Sequence, residues 1–232
     1  MRKYRINATS TVRIEYGIEL HAGLSQFDET LAAANEAHAV NDALANQYQI
    51  RLQLHRPVLN ARAILRFAEY NVDRVIRSAH RAAEIEDGGR RGRISTTLFP
   101  QGLKPVTKPS GRAQAKPTKD LIDRLKLSSV AGMDAFRAVW LAKLETALAK
   151  LDAAISTYES ARDAHAQAFR AEMALRDAHW EMVDRVMGLV RSAFPLDKDV
   201  HDVIFPIVTD DSPKRESSGE EIEKAPVSVG TA

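Results

Sequence analysis

The chain is 232 residues long, 44% hydrophobic and 28% charged, and its 33 Lys and Arg nearly cancel 31 Asp and Glu to leave a net +2. That is enough apolar content for a packed core and too little net charge for a strong molecule-wide field. The absence of cysteine excludes disulfides, thiolate catalysis and cysteine-ligated zinc. No stretch approaches the ~18 apolar residues of a membrane span, and the first residues lack the apolar run of a signal peptide, so the cytoplasm is the expected location.

Residues 1–21 alternate. Tyr4, Ile6, Ala8, Val12, Ile14, Tyr16, Ile18 and Leu20 hold even positions, and mostly polar residues hold odd ones. A period of two predicts a half-buried β-strand or small hairpin. Such a strand in a helical chain needs a cover. It lies on the helices, or it pairs with another copy or another protein, with Val12, Ile14, Tyr16 and Ile18 as the assembly strand; the third reading is that the helix begins earlier and the alternation is chance.

From residue 22 the period becomes helical. Leu24, Phe27, Leu31, Ala34 and Ala37 begin a stripe, and Val58, Ala61, Leu65, Ala68, Val72 and Val75 continue it beyond Pro57. This predicts a long helix over about 22–87, kinked at Pro57 or restarted there, and stopped at Gly88 and Gly89. Residues 88–119 then carry Arg90, Arg91, Arg93, Lys104, Lys108, Arg112, Lys116 and Lys119 with no acid, among four prolines and five glycines. The expectation over 88–130 is a basic connector, with Thr118 capping a short helix over 119–127.

The stretch that organises the chain is 131–194. It has no proline, and its length predicts a helix of about 96 Å. Leu141, Leu144, Leu148, Leu151, Ile155 and Tyr158 step by threes and fours, and Leu-Ala-Lys-Leu at 141–144 recurs at 148–151. A break at 156–163 is the competing reading, and Arg162 and His165 fall on the stripe there. Pro195 ends the helix. Asp197 then looks like the cap of a short helix over 197–205, whose Ile-Phe-Pro at 204–206 echoes Leu-Phe-Pro at 98–100. Polar residues dominate 209–232, and a disordered tail is expected.

The predicted class is therefore all-α. It is a long antiparallel helical hairpin or elongated coiled-coil-like bundle over 22–208, with an N-terminal β segment over 1–21. Seven histidines (His21, His38, His55, His80, His165, His179 and His201) invite a metal argument, but no Glu-x-x-His or His-Glu-x-x-His spacing occurs. Phosphate-loop, dinucleotide and nucleophile-elbow motifs are missing too. The expectation is no catalytic residue, no metal and no cofactor. The first functional reading is a scaffold or assembly protein that pairs with itself, or with another protein, through its helices. The second is a binding module whose residues Arg90, Arg91, Arg93, Lys104, Lys108 and Arg112 grip nucleic acid or an acidic partner.

Overall fold

A computed structural model describes residues 3–207. Seven α-helices follow in order: α1 Ser10–Leu24, α2 Leu31–Glu86, α3 Arg93–Leu98, α4 Lys104–Thr107, α5 Arg112–Leu127, α6 Met133–Ala193 and α7 Lys198–Ile204, with a 3₁₀ turn Asp28–Thr30 before α2. The described residues contain no strand. The tail expected over 209–232 lies outside them.

The N-terminal β-strand is thus corrected to a helix. Thr9, in an extended conformation, accepts a hydrogen bond from the Val12 N–H and caps α1. The face α1 buries is Ser10, Arg13, Tyr16, Gly17, Leu20 and Leu24, which is a helical spacing. Val12 and Ile14 lie beside that face, and Ile18 is 59% exposed. The proposed assembly residues therefore share no strand face.

Both long helices exist. α2 passes through Pro57 without a break, and α6 passes through 156–163 without a turn. The connector holds three helices: the helix expected over 119–127 is the C-terminal part of α5, and α3 and α4 stand where loop was expected. Pro105 sits in the first turn of α4, where its missing N–H costs nothing. Pro117 is carried inside α5, whose first bonds are the tighter Ala113 N–H to Ser110 and Gln114 N–H to Gly111 contacts. Thr118 caps nothing; its hydroxyl donates back to the Gln114 carbonyl within the helix.

The chain divides into two compact units, one formed by residues 1–41 with 179–232, the other by 42–178. In the first, Leu20 and Leu24 of α1 pack with Ala34 and Ala37 of α2, Met182, Val186 and Val190 of α6, and Ile204 and Phe205. The approach of α1 to α7 needs glycine, because a Cβ on Gly23 would sit 2.5 Å from the Ile204 carbonyl oxygen. In the second unit the core joins Val72, Ile76 and Ala79 of α2, Leu98, Phe99, Leu121 and Leu125 from the connector helices, and Phe136, Leu144 and Leu151 of α6. Leu98-Phe99 and Ile204-Phe205 do the same work in the two units: each ends a short helix and drops a phenylalanine into the local core.

Away from that core, α2 and α6 meet through polar groups. Gln47 donates to the Ala168 carbonyl at 3.0 Å, Arg51 pairs with the buried Glu172, and His55 lies 5.6 Å from His165. Further along, Val75 and Ala147 share a recess, so the two helices run in opposite directions within this unit.

Candidate functional site

The buried side of α2 in the second unit is Ala68, Val72, Ile76, Ala79 and Ala83. A helix turns about 100° per residue, so Arg62, Arg66, Tyr70, Arg74, Arg77 and Arg81 fall on the opposite side. All six are exposed. α2 carries seven arginines and no lysine, in a chain that has 11 lysines elsewhere. Arginine offers a planar, bidentate fork suited to phosphate, which lysine does not.

Two members of the stripe make contacts within α2. Arg77 approaches Asp73 at 3.4 Å and Arg74 donates to Asn71 at 3.2 Å. Arg62, Arg66 and Arg81 make no ion pair among the described residues. The two acids closest to the stripe are engaged by α5. Gln114 donates to Asp73 Oδ1 at 2.6 Å, and the Gly111 N–H donates to Glu69. Burial raises the Asp73 carboxyl above its ordinary value, against the pull of Arg77 and the Gln114 hydrogen bond. Tyr70, Asp73, Arg74, Arg77, Ser78 and Arg81 line a shallow recess on this face.

Charge is divided between the units. Residues 42–178 hold 23 Lys and Arg against 15 Asp and Glu, a net +8, so the rest of the chain carries −6. A molecule with a total charge of +2 thus contains a strongly basic unit.

The residues expected to contact a partner are spread over the connector. Arg90 and Arg93 flank the start of α3, Lys104 opens α4, Lys108 follows it and Arg112 opens α5. Arg91 is committed to the fold, donating to the Pro100 carbonyl at 2.6 Å and the Phe99 carbonyl at 3.4 Å. Arg112 lies 3.5 Å from Glu159. The connector is anchored by Asp87, which accepts from the backbone N–H groups of Gly92, Ile94 and Ser95 at 3.2, 3.0 and 2.8 Å. Burial pushes the Asp87 carboxyl up, but these hydrogen bonds outweigh it and hold it below the usual carboxylate range. The α2 stripe escaped the reading of the apolar beat, although the signal was in the same residues: arginine at 62, 66, 74, 77 and 81 keeps helical spacing half a turn from the core positions.

The first unit contains a second polar cluster, and it is internal. Arg13, 2% exposed, donates to the carbonyls of Ala8 and Ile6 and to the Tyr4 hydroxyl. Tyr4 lies 2.7 Å from His179 Nδ1. With Arg13 donating to the Tyr4 oxygen, the hydroxyl proton is free for Nδ1, which places the ring proton on Nε2. Burial, with the Arg13 and Lys3 charges, pushes His179 down to about 4, so the imidazole is neutral. Lys3 closes the cluster, 3.3 Å over the Trp180 ring and 2.6 Å from Asp184. Tyr16 packs edge-on against Tyr4 at 5.0 Å, and burial raises its phenol. This assembly ties Lys3 and Tyr4 to α1 and α6.

No group of three or more potential metal ligands occurs among the described residues, and none of their helices is long and apolar enough to cross a membrane. The chain matches no protein-family model, no curated protein and no solved structure.

Proposed function

We propose that this chain is a nucleic-acid-binding module whose contact surface is the arginine face of α2. The observation that carries this reading is the exposed register Arg62, Arg66, Arg74, Arg77, Arg81 on a helix anchored from behind by a packed core. Like charges three or four residues apart oppose helix formation by ~0.2–0.5 kcal/mol per pair. Three such pairs (62/66, 74/77 and 77/81) therefore cost the fold about 1 kcal/mol, and the exposed Arg77–Asp73 contact is the one ion pair the row makes in return among the described residues. A regular polyanion returns it. At about 1.5 Å per residue the row spans roughly 28 Å, the length of about eight nucleotides stacked at ~3.4 Å.

Counterion release makes the reading measurable. Five arginines each neutralising one phosphate give a log–log salt slope of about −3.5 for a single strand and −4.5 for a duplex. On the smaller slope, affinity falls ~100-fold between 50 and 200 mM salt. Fluorescence anisotropy with a labelled oligonucleotide tests this on the full chain. Arg74→Ala/Arg77→Ala/Arg81→Ala should reduce the slope by about 2 while the melting temperature is unchanged. No binding at 50 mM salt, or a variant with the native slope, would overturn the reading.

Self-association is the second reading, favoured by Leu52 and Leu59, which are seven residues apart on α2 and 43% and 49% exposed. Two copies pairing in parallel through this face would bring one arginine row against another, which costs energy unless an anion lies between them.

A further inference from the structure

Resting on that reading, we infer that the arginine face of α2 takes single-stranded nucleic acid, with Phe67 and Tyr70 as stacking platforms. Phe67 is 69% exposed and Tyr70 62%, in the middle of the row. Neighbours three apart on a helix share a surface, so the two rings lie together, with Arg66 and Arg74 one turn to either side of Tyr70. Neither ring makes an aromatic or cation–π contact among the described residues. Both leave apolar surface in water on a helix face that is otherwise charged, and the core behind α2 gains nothing from them.

The combination selects among nucleic acids. A single strand presents base faces that stack on exposed aromatic rings, while its phosphates reach the flanking guanidinium groups. A duplex hides those faces within its own stack. It would meet α2 through its grooves, and the major groove admits a helix that projects from its protein. α2 does not project. α5 is fastened along its flank, through Glu69 and Asp73, at the level of Tyr70. The recess beside Tyr70, bounded by Arg74, Arg77, Arg81 and Ser78, fits a phosphate next to a stacked base; Asp73, at its edge, is already occupied by Gln114 and Arg77.

The test compares three polyanions on the full chain: a fluorescein-labelled 16-nucleotide DNA strand of mixed sequence, the same strand annealed to its complement, and inorganic polyphosphate as a competitor. The expected result is single-strand binding at least tenfold tighter than duplex binding. Phe67→Leu/Tyr70→Leu keeps helix propensity and apolar character but removes both rings. It should weaken single-strand binding tenfold or more, leave the duplex and polyphosphate constants within twofold, and melt within ~2 °C of the native chain. Equal affinity for strand and duplex, or a double variant that binds the strand as the native chain does, overturns the single-strand inference and leaves the arginine face standing. Failure to bind any of the three overturns both.

Discussion

Gly17 is the position where a single methyl group should be felt most clearly. It lies in α1 within the first unit, and a Cβ there would sit 2.2 Å from Asn41 Oδ1, 2.5 Å from Asn41 Cγ and 2.9 Å from His179 Nε2. Two effects compete in Gly17→Ala. Helix propensity favours alanine by about 1 kcal/mol. Against it, both neighbours are buried, Asn41 4% and His179 0% exposed, and His179 is tied to Tyr4 by a 2.7 Å hydrogen bond. Neither can retreat without breaking packing, and overfilling a core costs about 1–3 kcal/mol. Asn41 Oδ1 and His179 Nε2 have no hydrogen-bond partner among the described residues, so packing alone resists displacement of these two atoms. The overlap wins, and the expected net loss is about 1–2 kcal/mol, which lowers the melting temperature by roughly 2–8 °C in a chain of this size. Urea unfolding in a Trp140→Phe background, where Trp180 alone reports on the first unit, measures it. A midpoint above that of the parent would refute the argument, because it would mean that Asn41 swings away freely and the approach of α1 is not tight.

Three further outcomes follow from single contacts. Asp87→Ala removes the carboxylate that caps α3 and should cost about 1 kcal/mol at neutral pH. Because the native carboxyl is held below its ordinary value, that stability exists only while it is ionised; the difference between variant and parent should vanish as pH falls through the native value. Arg51→Ala removes the guanidinium paired with the 2%-exposed Glu172 and should destabilise by about 3 kcal/mol, most of it recovered in Arg51→Ala/Glu172→Leu, as a double-mutant cycle in urea would record. Asp73→Asn removes the one negative charge in the basic recess and should tighten oligonucleotide binding severalfold. Native binding should approach that of the variant on acidification, since the raised Asp73 carboxyl takes up its proton above the usual carboxylate range.

The helices of this fold were legible where one face is continuously apolar. Leu144, Leu151 and Ile155 of α6, and Val72 and Ile76 of α2, are buried as their spacing demands. The N-terminus misled for a physical reason. Its buried face includes Arg13 and Gly17, which count as polar or neutral in a periodicity scan. Arg13 is buried only because three backbone and side-chain oxygens receive its protons, and Gly17 because two helices approach it. The β-branched Val12, Ile14 and Ile18 therefore outvoted the residues that carry the packing. Proline misled in the connector. Pro105 and Pro117 read as breaks, yet one sits where a helix needs no N–H and the other is carried inside α5. The arginine face of α2 was not singled out in the sequence. The local density of charge in 88–119 drew attention, whereas the α2 arginines are diluted by the alanines and aliphatic residues that face the core.

The discontinuity of the first unit bears on how the chain is made. Its helix α1 emerges from the ribosome early, but the α6 residues that cover Tyr16, Leu20 and Leu24 belong to a stretch beginning at residue 179. The 137 residues of 42–178 must be synthesised in between, a delay of roughly 7–27 s at ~5–20 residues per second. The second unit is contiguous, and its core draws on nothing outside 42–178. It is complete first, while the nascent α1 has only Ala33, Ala34 and Ala37 of α2 from its core cluster and waits for the part that α6 and α7 supply. A pause in translation before the residues from 179 onward are made would lengthen that exposure.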